Sequence, residues 1–145
     1  MRRTSERIRR FRDCQHGANA VEFALLAPVL VLLLFGIMGF GYVFGVYHGV
    51  QQIAAEAARA SVAGISDPER DALARDFVAA SLGSYLLLDP ARLDVSTTQS
   101  GPPHRTFEVA IRYDMSDTLL ATFASLVALP PPRVERRAVV QRGGY

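Results

Sequence analysis

The chain has 145 residues, half of them hydrophobic, and a net charge of +2 at pH 7. Six arginines and two acids lie in the first thirteen residues, so the rest of the chain holds 10 arginines against 12 acids. Because this larger part has no basic excess, the composition excludes a typical nucleic-acid-binding domain. The single cysteine excludes an intramolecular disulfide.

The amino-terminal segment is basic and stands directly before a long apolar run. Arginines beside a membrane span stay on the cytoplasmic side, because their translocation is opposed and anionic lipids attract them. We therefore expect a cytoplasmic amino terminus and an extracytoplasmic remainder. The arginines that set this topology are Arg2, Arg3, Arg7, Arg9, Arg10 and Arg12.

The apolar run from Phe23 to Tyr47 contains 25 residues without a charge. As a helix it is roughly 37 Å long, enough to cross a hydrocarbon core of about 30 Å. It is too long for the apolar region of a signal peptide, so we expect a retained membrane span. Pro28 predicts a kink or a local break, and Tyr42 and Tyr47 suit an interfacial aromatic belt.

Glu22 is a charge at the very start of this run. A carboxylate at that depth either reaches the solvated headgroup region or pairs with a cation. The span supplies no cation, so a partner has to come from a second chain or from a newly made amino terminus. The residues alone leave both alternatives open.

The residues around Glu22 resemble a type IV prepilin processing site. Gly17 stands five residues before Glu22, and Phe23 and the apolar run follow at once. The resemblance implies that a prepilin peptidase cuts after Gly17 and that Ala18 begins the mature chain with a free ammonium group. It also implies that Glu22 pairs with such a terminus on a neighbouring subunit, offsetting the desolvation of the carboxylate.

A wider stretch, residues 1–64, is similar to the TadE-like family, the pseudopilins of tight-adherence (Flp) pilus systems. The similarity rests on the arginine-rich leader, the Glu-Phe-Ala core, an early proline, glycines in the span and an alanine-rich stretch over 54–64. It implies a bacterial inner-membrane subunit that supports pilus assembly, with pilin-like or pilus-assembly subunits as partners. Ala18 departs from the phenylalanine or methionine that begins many mature pilins, which favours a minor subunit.

Gly41, Gly45 and Gly49 recur at every fourth position near the outer end of the span. Small residues at this spacing line one helix face and let a second helix approach closely in lipid. Glycine is also simply common in membrane helices. We expect a helix–helix packing seam here, on a helix that continues out of the membrane to a C-terminal cap at Gly64.

A second helix is predicted to begin near residue 66 and to end at Gly83. Either Ser66 and Glu69 form a capping box, or Asp67 caps the helix with Pro68 at its first position. The predicted buried face comprises Leu73, Phe77, Val78 and Leu82, and the predicted outward side chains are Arg70, Arg75 and Asp76.

Two later segments, 93–98 and 106–113, alternate between apolar and polar residues as half-buried strands do, and a last strand is predicted over 134–140. The first two predict a hairpin. Between the last two, residues 116–127 predict another short helix, and three prolines at 130–132 predict a stiff connector.

No pattern of catalytic or metal-ligating residues emerges, because the three histidines are scattered and no phosphate-binding glycine loop is present. We expect no enzyme, cofactor, metal or small-molecule substrate, and membrane lipid as a partner. The expected fold is α+β: a long N-terminal transmembrane helix extending into a small extracytoplasmic domain with two short helices and a small antiparallel sheet. The expected divisions are a leader (1–17), the helix and its extension (18–64) and the outer domain (65–145). The alternative function is a single-pass membrane-anchored binding module with an extracytoplasmic partner-recognition domain.

Overall fold

The computed structural model describes residues 15–101, 105–116 and 130–141. The leader arginines and the helix predicted over 116–127 lie outside these residues, except for Ser116. Short 3-10 turns occupy Ser61–Ala63, Leu82–Ser84 and Pro90–Arg92. The helices are α1 (Gln15–Ala60) and α2 (Asp67–Ser81), and the strands are β1 (Leu93–Ser100), β2 (Thr106–Asp114) and β3 (Arg133–Gln141).

The predicted α+β class is confirmed by a long apolar helix, a shorter second helix and a three-stranded antiparallel sheet of order β1-β2-β3. The predicted hairpin is formed by β1 and β2, with Leu93 opposite Tyr113 and Ser100 opposite Thr106. All three strands begin and end within two residues of the predicted limits. For β1 and β2 the reason is that the alternation that predicted them is the alternation of a sheet with one buried face.

Helix α1 has 46 residues, which at 1.5 Å per residue gives a length of roughly 69 Å. It runs through Pro28 without interruption, so of the two predicted alternatives the local break is wrong and the kink stays a prediction. A proline removes one backbone hydrogen bond, and the bonds on either side are sufficient to keep an apolar helix continuous. After Ala60, one 3-10 turn follows, and Gly64 donates its N–H to the Ser61 carbonyl at 3.1 Å.

The chain divides into two compact units, residues 1–38 and 39–145. In the described part of the first unit, the large apolar side chains of α1 are exposed. In the second, α1 has a buried stripe that follows the helical repeat and that Ser61 of the next 3-10 turn continues: Val43, Val46, Val50, Ile53, Ala54, Ala57 and Ala58.

The core of the second unit joins this stripe to α2 and to one face of the sheet. Among the three strands, β2 contributes the most buried residues to the core: Phe107, Val109, Ile111 and Tyr113, at alternate positions. The opposite face of the sheet is charged and carries three cross-strand ion pairs, of 2.8 to 3.3 Å: Arg112 with Glu135, Arg133 with Asp114, and Arg137 with Glu108. One face of the sheet is thus apolar and buried, and the other is polar.

The start of α2 uses the capping box that the sequence offered as one of two alternatives. The Glu69 N–H donates to Ser66 Oγ at 3.4 Å, and the Ser66 N–H donates to a Glu69 carboxylate oxygen at 3.4 Å. Along the buried face, Ala74 and Val78 are fully covered, whereas Leu73 and Phe77 are half-buried. The reciprocal bonds explain why the helix begins where it does.

Arg70 was predicted to face outward, and this is wrong, since it is only 7% exposed. A side chain at position 64 would place its Cβ 2.8 Å from Arg70 Cγ and 2.8 Å from the Arg70 nitrogen. Because Gly64 has no Cβ, the start of α2 comes against the end of α1 and covers the Arg70 stem. The charge of an arginine therefore misled the prediction, because at Arg70 the guanidinium nitrogens Nε and Nη1 are buried together with the stem.

Candidate functional site

The first turns of α1 hold the residues that resemble a processing site. Gly17, Glu22 and Phe23 are all exposed, and no non-local atom lies within 4 Å of the position a Gly17 Cβ would take. Gly17, Glu22 and Phe23 are therefore accessible to a partner from outside the described part of the chain.

Glu22 belongs to none of the ion pairs formed within the described ranges 15–101, 105–116 and 130–141. Large exposed apolar side chains follow it immediately along the helix. A carboxylate in such a position favours contact with water, with headgroups or with a cation from outside the chain. The geometry is therefore compatible with an external partner for Glu22.

The apolar surface of α1 beyond Glu22 is extensive. The segment from Asn19 to Ala63 is the one described helix that is long and apolar enough to cross a membrane, with a mean hydropathy of 2.6 in its most apolar 18-residue window. Only 6% of that window is buried within the protein. A helix that is apolar and exposed on all sides is stable in lipid and unstable in water, so α1 is suited to serve as a single-pass membrane anchor.

The three glycines predicted to form a seam lie in different surroundings. Gly41 is exposed, and no non-local atom lies within 4 Å of the position its Cβ would take. A Cβ on Gly45 would lie 2.5 Å from Leu87 Cδ1, and one on Gly49 would lie 3.4 Å from Leu88 Cδ1. The last two glycines therefore let a turn of the same chain approach α1. Packing of this face against a second helix stays a prediction.

That turn, residues 85–88, was not singled out by the sequence analysis. The Leu88 N–H donates to the Tyr85 carbonyl at 3.0 Å and closes the turn. Leu88 is buried, whereas Leu86 at the tip is 98% exposed. The run of three leucines before Asp89-Pro90 is the sequence signal that could have drawn attention to it.

Two tyrosines fix the turn in place. The Tyr113 hydroxyl donates to the Leu87 carbonyl at 3.4 Å and accepts from the Asp89 N–H at 3.1 Å. The Tyr85 hydroxyl donates to the Glu56 carboxylate on α1 at 3.2 Å. Burial first, and the Glu56 carboxylate second, raise the pKa of the Tyr85 hydroxyl, so it remains a donor at neutral pH.

A groove of about 560 Å³ lies at the end of the sheet that carries Tyr113. Its arginines already have acidic partners: Arg92 with Asp89, Arg112 with Glu135 and Arg133 with Asp114. Within the described residues, no group of three or more histidine, cysteine or acidic side chains is arranged to hold a metal ion. The expectation of a protein without enzymatic activity, cofactor or metal stays a prediction.

Three unusual features thus lie on α1. They are the exposed Glu22, a half whose apolar side chains are exposed, and a half that is buried in the domain. Residues 17–59 match the family model of TadE-like protein. The match confirms the predicted family over the segment that contains Glu22, the span and most of the buried stripe of α1. It indicates a membrane protein associated with a Tad pilus. No curated protein and no solved structure matches the chain.

Proposed function

We propose that this TadE-like protein is a minor pseudopilin-like subunit of the bacterial inner membrane that supports assembly of a Tad/Flp-type pilus. The observation that carries the proposal is the exposed Glu22, without an ion-pair partner among the described residues, at the start of a helix half that is apolar on all sides. The family match over the same residues supports it. The arginine leader supports an orientation with the amino terminus in the cytoplasm and the domain outside.

Processing would give Glu22 its partner. Cleavage after Gly17 leaves Ala18 with an ammonium group, and the Glu22 carboxylate of a neighbouring subunit accepts it. Two unit charges 4 Å apart attract by only about 1 kcal/mol in water but by about 4 kcal/mol at an effective dielectric of 20. The pair therefore becomes useful once both groups enter the edge of the membrane, where it also sets the axial register between subunits.

The exposed half of α1 would supply the packing between subunits. In lipid, helices associate through close van der Waals contact, and a small residue permits a close approach. Gly41 is open to such an approach, because no other part of the chain lies near the position of its missing Cβ. We therefore assign the intermolecular part of the predicted seam to the neighbourhood of Gly41.

The experiment that tests processing is the mass and amino-terminal sequence of the full chain isolated from membranes, with and without a prepilin peptidase. We expect a mature chain that begins at Ala18 only when the peptidase is present. A Gly17→Val variant is the matched control and should stay uncleaved in both cases. A chain that begins at Met1 in the presence of the peptidase contradicts the processing step.

The role of Glu22 is tested by Glu22→Ala in a strain that assembles the pilus. We expect normal membrane insertion and at least a tenfold loss of surface pili, because the register-setting charge is gone. Asp76→Ala, which removes an exposed acid of α2, should leave pili unchanged. Normal assembly by Glu22→Ala would instead favour a membrane-anchored binding module whose outer domain recognises a partner.

A further inference from the structure

The turn Tyr85–Leu88 lies against α1 at the point where the uncharged run of the helix ends. Leu87 reaches Gly45, which is in the last turn of that run, and Leu88 reaches Gly49, two residues beyond Tyr47. The run is roughly 37 Å long and exceeds a hydrocarbon core of about 30 Å. Its last turn therefore falls in the layer where hydrocarbon meets headgroups, and the turn 85–88 falls there with it.

The turn exposes hydrocarbon to its surroundings. Leu86 is 98% exposed, Leu87 is partly exposed, and residues 85–88 contain no charge. On α1, Phe44 stands next to Gly45 in the sequence and is also exposed and apolar, so the helix and the turn both present hydrocarbon at this level. A leucine tip in water has no stabilising contact, whereas the same tip at a membrane surface is covered by lipid.

The turn is held rigidly in this position. Its backbone is bonded to the Tyr113 hydroxyl, its first side chain is bonded to Glu56, and Leu88 is buried in the core. Tyr42, Tyr47 and Tyr85 pack against the core cluster that contains Tyr113. Tyrosines are enriched at membrane–water interfaces, so this set of side chains suits such a position.

We propose that the turn Tyr85–Leu88 inserts Leu86 into the outer surface of the bilayer beside α1. The domain then has a second membrane contact in addition to its helix, and this contact fixes which side of the domain faces the membrane. The proposal rests on α1 spanning the membrane and is independent of pilus assembly. Lipid is the occupant, because the uncharged leucine tip lies level with the outer end of the apolar span.

Ile65 provides a matched comparison within the same unit. It is 92% exposed, so it is as apolar and as accessible as Leu86. It follows the end of α1, twenty residues after Gly45, which along a helix corresponds to roughly 30 Å. We expect Ile65 to remain in water, whereas Leu86 enters lipid.

The test uses the full chain with Cys14→Ser and a single cysteine introduced as Leu86→Cys, Ile65→Cys or Leu30→Cys. Each is labelled with an environment-sensitive fluorophore and reconstituted into phosphatidylcholine–phosphatidylglycerol vesicles that contain nitroxide-labelled lipids. We expect strong quenching at 86 and 30 and at least threefold weaker quenching at 65. Since Leu86 and Ile65 are both exposed, their replacement should leave the fold intact, which circular dichroism checks.

Each other outcome overturns the inference in a recognisable way. Weak quenching at both 86 and 65, with strong quenching at 30, removes the second contact and leaves the membrane anchor in place. Weak quenching at 30 removes the anchor itself. Shielding of residue 86 that disappears when the protein is diluted tenfold in lipid, without lipid quenching, assigns the leucine tip to a neighbouring copy.

Discussion

The two halves of α1 share one continuous backbone and differ in what surrounds their side chains. Before residue 39 the helix exposes leucine, valine and phenylalanine on all sides, and after it a stripe of valine, isoleucine and alanine is buried in the domain. Backbone hydrogen bonds hold both halves as a helix. The difference teaches that tertiary packing and not side-chain type separates the halves, because valine and isoleucine are exposed in the first half and covered by the rest of the core in the second.

The largest effect on domain stability is expected when isoleucine is replaced by alanine in the buried half of α1, and the same replacement in the exposed half is the comparison. Ile53→Ala removes a fully buried side chain and should lower the free energy of unfolding of the domain by about 2–5 kcal/mol. Ile37→Ala, in the exposed half, should change it by less than about 0.5 kcal/mol. Urea unfolding of the full chain in vesicles, followed by domain fluorescence or proteolysis, measures both. Equal losses would show that the exposed half is also part of the domain core.

A second effect comes from the place where the buried half ends. Gly64→Ala puts a Cβ 2.8 Å from the Arg70 backbone nitrogen, so α2 has to move away from the end of α1. Such overpacking should destabilise the domain by about 1–3 kcal/mol. Gly83→Ala is the matched control: its Cβ meets no non-local atom within 4 Å, so it should be neutral or slightly stabilising. If Gly64→Ala leaves domain stability unchanged, α2 can shift away from residue 64 at little cost in free energy.

A smaller loss of domain stability is expected from substitutions at the start of α2, which packs in the same core as the buried half of α1. Ser66→Ala removes the oxygen that accepts from the Glu69 N–H and should lower domain stability by about 1 kcal/mol. Ser66→Asp keeps an accepting oxygen and should restore most of the loss. If both variants lose the same amount, the capping oxygen is not the cause.

Much of the exposed half could be predicted from the sequence, because its character is local. A long uncharged run, a preceding carboxylate and a basic leader are visible residue by residue, and the family match covers the run and the carboxylate. The strands and the capping box were also predicted, since alternation and cap spacing are short-range signals.

The features that the sequence did not reveal depend on contacts between distant residues. Gly45 and Gly49 have a spacing typical of helix association in lipid, yet each lies against a leucine about forty residues later. Arg70 is buried because Gly64 lets two helices meet. No signal in the span itself indicates that the domain begins at residue 39, because the helix and its hydropathy continue through that position.

The smallest effect is the loss of stability at low pH, and it should involve the domain alone. Hydrogen bonds from the Ser116 hydroxyl and N–H, and then from Arg133, lower the pKa of Asp114 from 3.8 to about 2. The side chain of Arg112 first, and that of Arg137 second, lower the pKa of Glu135. Since both carboxylates are more acidic when folded, their contribution is complete above the unfolded pKa and is lost as the pH falls from about 4 toward 2.

Asp114→Asn should therefore flatten the pH dependence of domain unfolding between pH 5 and pH 2, although the change is small because the carboxylate is exposed to solvent. Asp76→Asn, which removes an exposed acid outside the described ion pairs, should keep the full dependence. The urea midpoint of the full chain in vesicles, measured across this range, gives the comparison. Identical pH profiles for Asp114→Asn and the unmodified chain would show that the Arg133–Asp114–Ser116 contacts do not stabilise the folded domain in solution.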